Sequence, residues 1–92
     1  MKFYYPVIVR RLSDGSYSAH FPDLKMCEAS GDTMEDVLEN ATEAAWNWIN
    51  LELQEEEPDL PPATDPVDMK LESNEEVREI LVNYRMTEGW EE

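Results

Sequence analysis

The hydrophobic period of this chain switches at Met34 from that of strands to that of a helix, and that switch restricts the folds open to it. Phe3 to Leu12 is β-branched and aromatic, and Tyr17-Ser18-Ala19-His20-Phe21 alternates as a half-buried strand does. From Met34 onward the apolar residues recur every three or four positions instead. A hairpin that feeds an amphipathic helix must bury that helix on the hairpin's face. Ser13-Asp14-Gly15-Ser16 supplies the turn, since Asp-Gly provides the positive φ angles of a tight hairpin. A two-residue turn at Asp14-Gly15 sets Ile8 opposite Phe21, whereas a slightly longer loop brings Val7 and Val9 to the face shared by Tyr17, Ala19 and Phe21. A one-residue slip exchanges the two faces, so the sequence leaves the register open.

Pro22 cannot donate to a ladder and ends the second strand; Met26-Cys27-Glu28-Ala29 reads as a short third strand before Ser30-Gly31. Thr33 is a good N-cap with Asp36 three residues on, and Glu35 and Asp36 complement the helix dipole. Met34, Val37, Leu38, Ala41, Ala44, Ala45, Trp48 and Ile49 then form one stripe of a helix of about five turns. The three alanines permit close approach to a sheet, with Trp48 filling volume near the end. Trp46 lies on the flank of that stripe together with Leu53, and tryptophan is enriched at interface hot spots.

Glu55-Glu56-Glu57-Pro58 ends the helix. The proline-rich run from Asp59 to Pro66 reads as an extended surface linker pinned by Leu60 and Val67. After a charged turn at Glu72-Ser73-Asn74-Glu75, residues 77–86 fit a last strand, with a short helix over 75–84 as the rival; Val77, Ile80, Val82 and Tyr84 favour the strand. The expected fold is therefore α+β. It is a βββαβ two-layer sandwich, one long helix on a mainly antiparallel sheet, with the last strand parallel to the first because a helix crossover separates them. Residues 1–86 form the domain, and 87–92 are expected to fray.

Charge narrows the function. The chain has 22 acids, 7 bases and a formal net charge of -15. Residues 32–57 hold nine acids and no base, while residues 1–31 are close to balanced. Such a field repels phosphate backbones and draws basic proteins, although acidity also serves solubility alone. RNA binding would require Arg10, Arg11 and Lys25 to come together. One cysteine, Cys27, excludes an intramolecular disulfide and suits a reducing cytoplasm, and no segment has the length and apolarity of a membrane span. Two-metal hydrolysis would need carboxylates beginning on the first strand, and residues 3–12 contain none. His20 and Cys27 lack a third orienting group, and a single histidine does not make a structural zinc site. The expectation is a protein without catalytic residues, metal or cofactor.

The run Tyr17 to Leu24, then Cys27, Gly31-Asp32-Thr33 with Glu35-Asp36, the helix alanines and Leu60-Pro61-Pro62 resembles the HicB family of antitoxins over residues 3–86. The resemblance implies a truncated ribonuclease-H-like fold. It also implies a role in binding and silencing a small basic HicA-like toxin, an mRNA-cleaving ribonuclease. Two departures stand out: Lys25-Met26 replaces the Pro-Gly common before the cysteine, and nothing after Met86 resembles the DNA-binding module many members carry. On this reading the chain acts by protein contact, through Asp23 and Glu28 in the loop, Glu35, Asp36, Glu39 and Glu43 on the helix, and Trp46. A homodimer through an edge strand or the open sheet face is expected. The competing reading is an orphan HicB-like scaffold that self-associates and has no toxin.

Overall fold

In the computed structural model, which describes residues 2–57 and 60–83, four strands form one sheet and a single long helix covers one face of it. The strands are β1 (Lys2–Arg11), β2 (Tyr17–His20), β3 (Glu28–Gly31) and β4 (Glu75–Asn83); the helix α1 spans Met34–Leu53. The sheet order is β3-β2-β1-β4, with every neighbouring pair antiparallel. The βββαβ order and two-layer α+β arrangement are those expected from the sequence.

The hairpin takes the longer of its two possible loops. Val9 pairs with Ala19 and Arg11 with Tyr17, and Leu12 N donates to Ser16 O at 2.8 Å. Gly15 N reaches back to Leu12 O, and Gly15 itself adopts a φ of 89°. This is a three-residue loop that ends in a left-handed glycine. Asp14 Oδ1 fastens it by accepting from Ser16 N and Ser16 Oγ. Tyr5, Val7 and Val9 consequently join Ala19 and Phe21 on the helix-covered face, with Leu24, Cys27, Val37, Ala41, Ala45, Ile49, Ile80 and Val82 completing the core.

The direction of β4 corrects the sequence reading: it lies beside β1, as expected, but runs antiparallel to it, from Glu75 opposite Arg10 to Asn83 opposite Lys2. The reason lies in the linker. Helix α1 starts at the hairpin end and runs to the far end of the sheet, where Trp48 Nε1 donates to Lys25 O at 2.9 Å. A strand that followed at once would be parallel to β1. Instead the connection is tied down at the far end, by Tyr5 Oη donating to Pro61 O and by Thr64 N and Oγ1 donating to Asp23. Residues 65–73 then return to the hairpin end, where Asn74 Nδ2 donates to Arg11 O. This second traverse of the sheet reverses the strand.

Smaller boundaries also move. The third strand begins at Glu28, two residues later than expected, because Met26 and Cys27 belong to a turn. Within the linker, Pro66–Asp68 forms a 3-10 turn capped by Asp65. Leu60 packs against the core as a pin should, whereas Val67 is exposed. The rival helix over 75–84 gives way to strand through Asn83; the expected end of that strand at 84–86 and the frayed tail at 87–92 lie outside the described residues.

Glu75 clamps the start of β4. Its carboxylate accepts from Glu72 N and from Arg10 Nε and Nη2, the last at 2.7 Å. The backbone bond from Glu72, then the Arg10 bond, hold its pKa below the usual carboxylate value of 4.5. A carboxyl with a lowered folded-state pKa stabilises the fold above its unfolded value, and that contribution is lost as pH falls through the folded one. The urea midpoint of a Glu75→Gln variant is therefore expected to lie below the wild type at neutral pH. The gap should close as the buffer is taken down through and below pH 4.5.

Candidate functional site

Helix α1 divides sharply into a buried and an exposed side. Val37, Ala41, Ala45 and Ile49 are fully buried against the sheet. At about 100° per residue, Glu35, Asp36, Glu39, Glu43 and Trp46 fall within an arc of about 100° on roughly the opposite side, and all five are exposed. Glu39, Asn40, Thr42, Glu43, Trp46 and Asn47 surround a shallow hollow there. Thr33 Oγ1 caps the helix by accepting from Asp36 N at 3.0 Å. Asn40 Nδ2 donates to Ser30 O at 2.7 Å and fixes the helix against β3.

Among the described residues, the ion pairs leave this face without a neighbouring cation. The salt bridges Arg10–Glu75 and Arg78–Glu76 both lie on the sheet, and residues 32–57 contain no base. Four carboxylates along this side of the helix, the last of them Glu43 one turn before Trp46, present what a cationic protein surface needs: long-range attraction and charge-assisted hydrogen bonds.

The other two expected contact residues lie elsewhere. Asp23 is occupied in holding Thr64 and so fastens the linker. Glu28 pairs across the ladder with His20, on the sheet face opposite the helix, because the strand alternation sets it apart from core-facing Ala29. The seven residues therefore resolve into a five-residue helix face, a structural fastener and one acid on the far side.

Among the described residues, the groups weighed for catalysis and RNA binding lie apart from one another. Cys27 is buried in the core, and burial, aided by the nearby Glu28 charge, pushes its thiol up to about 11; it stays protonated at neutral pH and is no nucleophile. His20 is exposed on the outer sheet face. Arg10 and Arg11 point to opposite faces of β1 at its hairpin end, and Lys25 sits in the β2–β3 connection at the other end. Among the described residues no group of three or more His, Cys, Asp or Glu could hold a metal ion, and no helix is long and apolar enough to cross a membrane.

One feature near the helix escapes sequence periodicity. Met26 has a φ of 61°, in the left-handed region where a side chain costs about 1 kcal/mol or more. Cys27 N donates to Leu24 O at 3.1 Å, so Lys25 and Met26 are the central pair of a tight turn. Positive φ at the third residue is the position that favours glycine. The Lys25-Met26 sequence thus keeps a shape suited to Pro-Gly, with strain at Met26. The only signal in the sequence is that departure from Pro-Gly.

Comparison with known proteins agrees with this architecture. A family described as "HicB_like antitoxin of bacterial toxin-antitoxin system" matches residues 5–86. The UPF0150 protein ssr1765 of Synechocystis sp. is 39% identical over 54 residues, which span 59% of this chain and 68% of that protein. Among solved structures, a chain of the HicA3 and HicB3 toxin-antitoxin complex is 27% identical with a TM-score of 0.68, covering 89% of this chain and 100% of that one. A chain of a toxin-antitoxin complex from Streptococcus pneumoniae superimposes with a TM-score of 0.73 at 21% identity, over 90% of this chain and 70% of that one. The N-terminal domain of Burkholderia pseudomallei antitoxin HicB gives 0.70 at 17% identity, over 91% and 100% respectively. The last two share the fold.

Proposed function

Because the chain belongs to the HicB-like antitoxin family of bacterial toxin-antitoxin systems, we propose that it neutralises a small, basic, HicA-like mRNA-cleaving toxin in the cytoplasm by covering its cationic surface. The observation that carries this reading is the exposed face of α1, along which Glu35, Asp36, Glu39 and Glu43 follow one another toward Trp46 with no base in the helix. A toxin that grips RNA needs clustered Lys and Arg, and an anionic face that pairs with them excludes the phosphate backbone by occupancy. No bond in the toxin or its RNA need be made or broken by the antitoxin, so the role is not enzymatic.

A homodimer fits the sheet face turned away from α1. Tyr4 and Leu81 are paired in register there and both are exposed. Such a dimer leaves the helix faces free for two toxins.

The test is co-expression with the small basic protein encoded by a neighbouring reading frame. Growth should be arrested by that protein alone and restored by this chain, and the two should co-purify. No rescue and no complex, with the chain still self-associating, would instead support an orphan scaffold.

A further inference from the structure

The sheet leaves one long edge open. Arg11 N donates to Asn74 O and Leu12 N to Ser16 O, so the odd residues of β1 bond toward β4 and the even ones toward β2. Each odd residue of β1 faces an even residue of β4, as Val9 faces Glu76 and Tyr5 faces Ile80. The backbone groups of Val77, Glu79, Leu81 and Asn83 therefore point away from the sheet. Among the described residues, no backbone hydrogen bond from another segment reaches them, whereas Glu75 N, earlier in the same row, is taken by Glu72 O. The opposite edge is less available: β3 has four residues, and the carbonyl of Ser30 is taken by Asn40. An open edge as long as that of β4 is a template for another strand.

The make-up of the edge selects a second copy of this chain. Its first acids, Glu75 and Glu76, are matched by Arg10 and Arg78, so the edge carries little of the anionic field that attracts cations to α1 and repels a like molecule. Its second half, Ile80-Leu81-Val82, is uncharged, and Leu81 is 43% exposed opposite Tyr4 at 53%. A two-fold axis through Leu81 sets that residue against its own copy, Ile80 against Val82 and Glu79 against Asn83, and it carries the charged halves to opposite ends. An axis through Arg78 or Glu79 would oppose two like charges, and one through Ile80 would set Glu79 on Leu81. We propose that β4 pairs antiparallel with β4 of a second copy, centred on Leu81, so that the two sheets become one. The inference rests on the self-association proposed above and names the contact that holds it. The Tyr4–Leu81 pairs of both copies then form one apolar row on the outer face.

The test follows the oligomeric state by sedimentation across protein concentration, together with amide hydrogen exchange resolved by residue. Exchange at Glu79 and Leu81 should slow about tenfold or more as the dimer forms. Glu79→Pro removes an outward N–H and leaves the ladder with β1 intact, the one setting in which strands accept proline. It should weaken dimerisation about tenfold or more, whereas Glu79→Gln, which keeps the N–H, should dimerise at least as tightly as wild type. A dimer whose Glu79 and Leu81 amides exchange as fast as those of the dilute chain would overturn the edge pairing and leave the sheet-face dimer standing. Wild-type dimerisation of the proline variant, or equal weakening in the glutamine variant, would overturn it too. Because exchange is read on the wild type, it decides the question even where the proline variant does not fold. A chain that stays monomeric at every concentration would overturn both the edge pairing and the homodimer.

Discussion

Reversing the charge of Glu35, Asp36, Glu39 and Glu43 together, each to lysine, is expected to weaken toxin binding about 1,000-fold or more and to abolish growth rescue. Each reversal replaces an attraction with a repulsion; at about 1 kcal/mol per site the four amount to about three orders of magnitude. Lysines at 35 and 36 also oppose the helix dipole, at a cost of about 0.3–1 kcal/mol each. The neutral set Glu35→Gln, Asp36→Asn, Glu39→Gln and Glu43→Gln therefore serves as the companion, with circular dichroism to show that α1 persists. The neutral set should slow association and flatten its dependence on salt, since steering by exposed charges is screened over about 10 Å at 0.1 M. Unaltered affinity in the folded reversed variant would remove the charged face from the interface.

Gly31→Ala is expected to cost about 3 kcal/mol or more of folding stability, enough to leave much of so small a domain unfolded. The last residue of β3 passes so close to the first turn of α1 that an added Cβ would lie 2.5 Å from Val37 N and 2.9 Å from both the carbonyl carbon and Cβ of Asp36. Backbone atoms on the receiving side cannot swing away as a flexible side chain would. Relief requires β3 and the helix start to part, which strains the Thr33 cap and the Asn40–Ser30 bond. Urea denaturation of the purified variant gives the number. A midpoint within measurement error of wild type would mean that the strand and helix are not in such close contact.

Much of this architecture was legible in the residues, and the omissions have physical causes. The boundaries of α1 follow from local chemistry, a threonine cap and a three-four stripe, and the structure reproduces both. Strand identity at 77–83 was legible from the β-branched residues, although the strand starts at Glu75, which reads as part of the preceding turn. Direction was not, because it depends on where the linker is tied. Those ties are Tyr5 to Pro61, Thr64 to Asp23 and Asn74 to Arg11, pairs remote in sequence that no periodicity announces. The hairpin register turned on a single residue of loop length, which Asp-Gly alone does not determine. For the candidate site, spacing set Asp36, Glu39 and Glu43 away from the apolar stripe and Trp46 on its flank, because helical geometry is local. Asp23 and Glu28 resembled them in chemistry but were separated by tertiary placement, one spent on Thr64 and the other on the opposite face of the sheet. Met26 remained hidden because a residue's φ is not written in its side chain.

The most direct test is a map of the toxin's footprint, read from amide chemical-shift changes on titrating the labelled chain with the basic protein. The account predicts that the changes concentrate on residues 35–47 of α1. Changes confined to Tyr4, Ile8, His20 and Leu81 on the far sheet face, with α1 undisturbed, would contradict it.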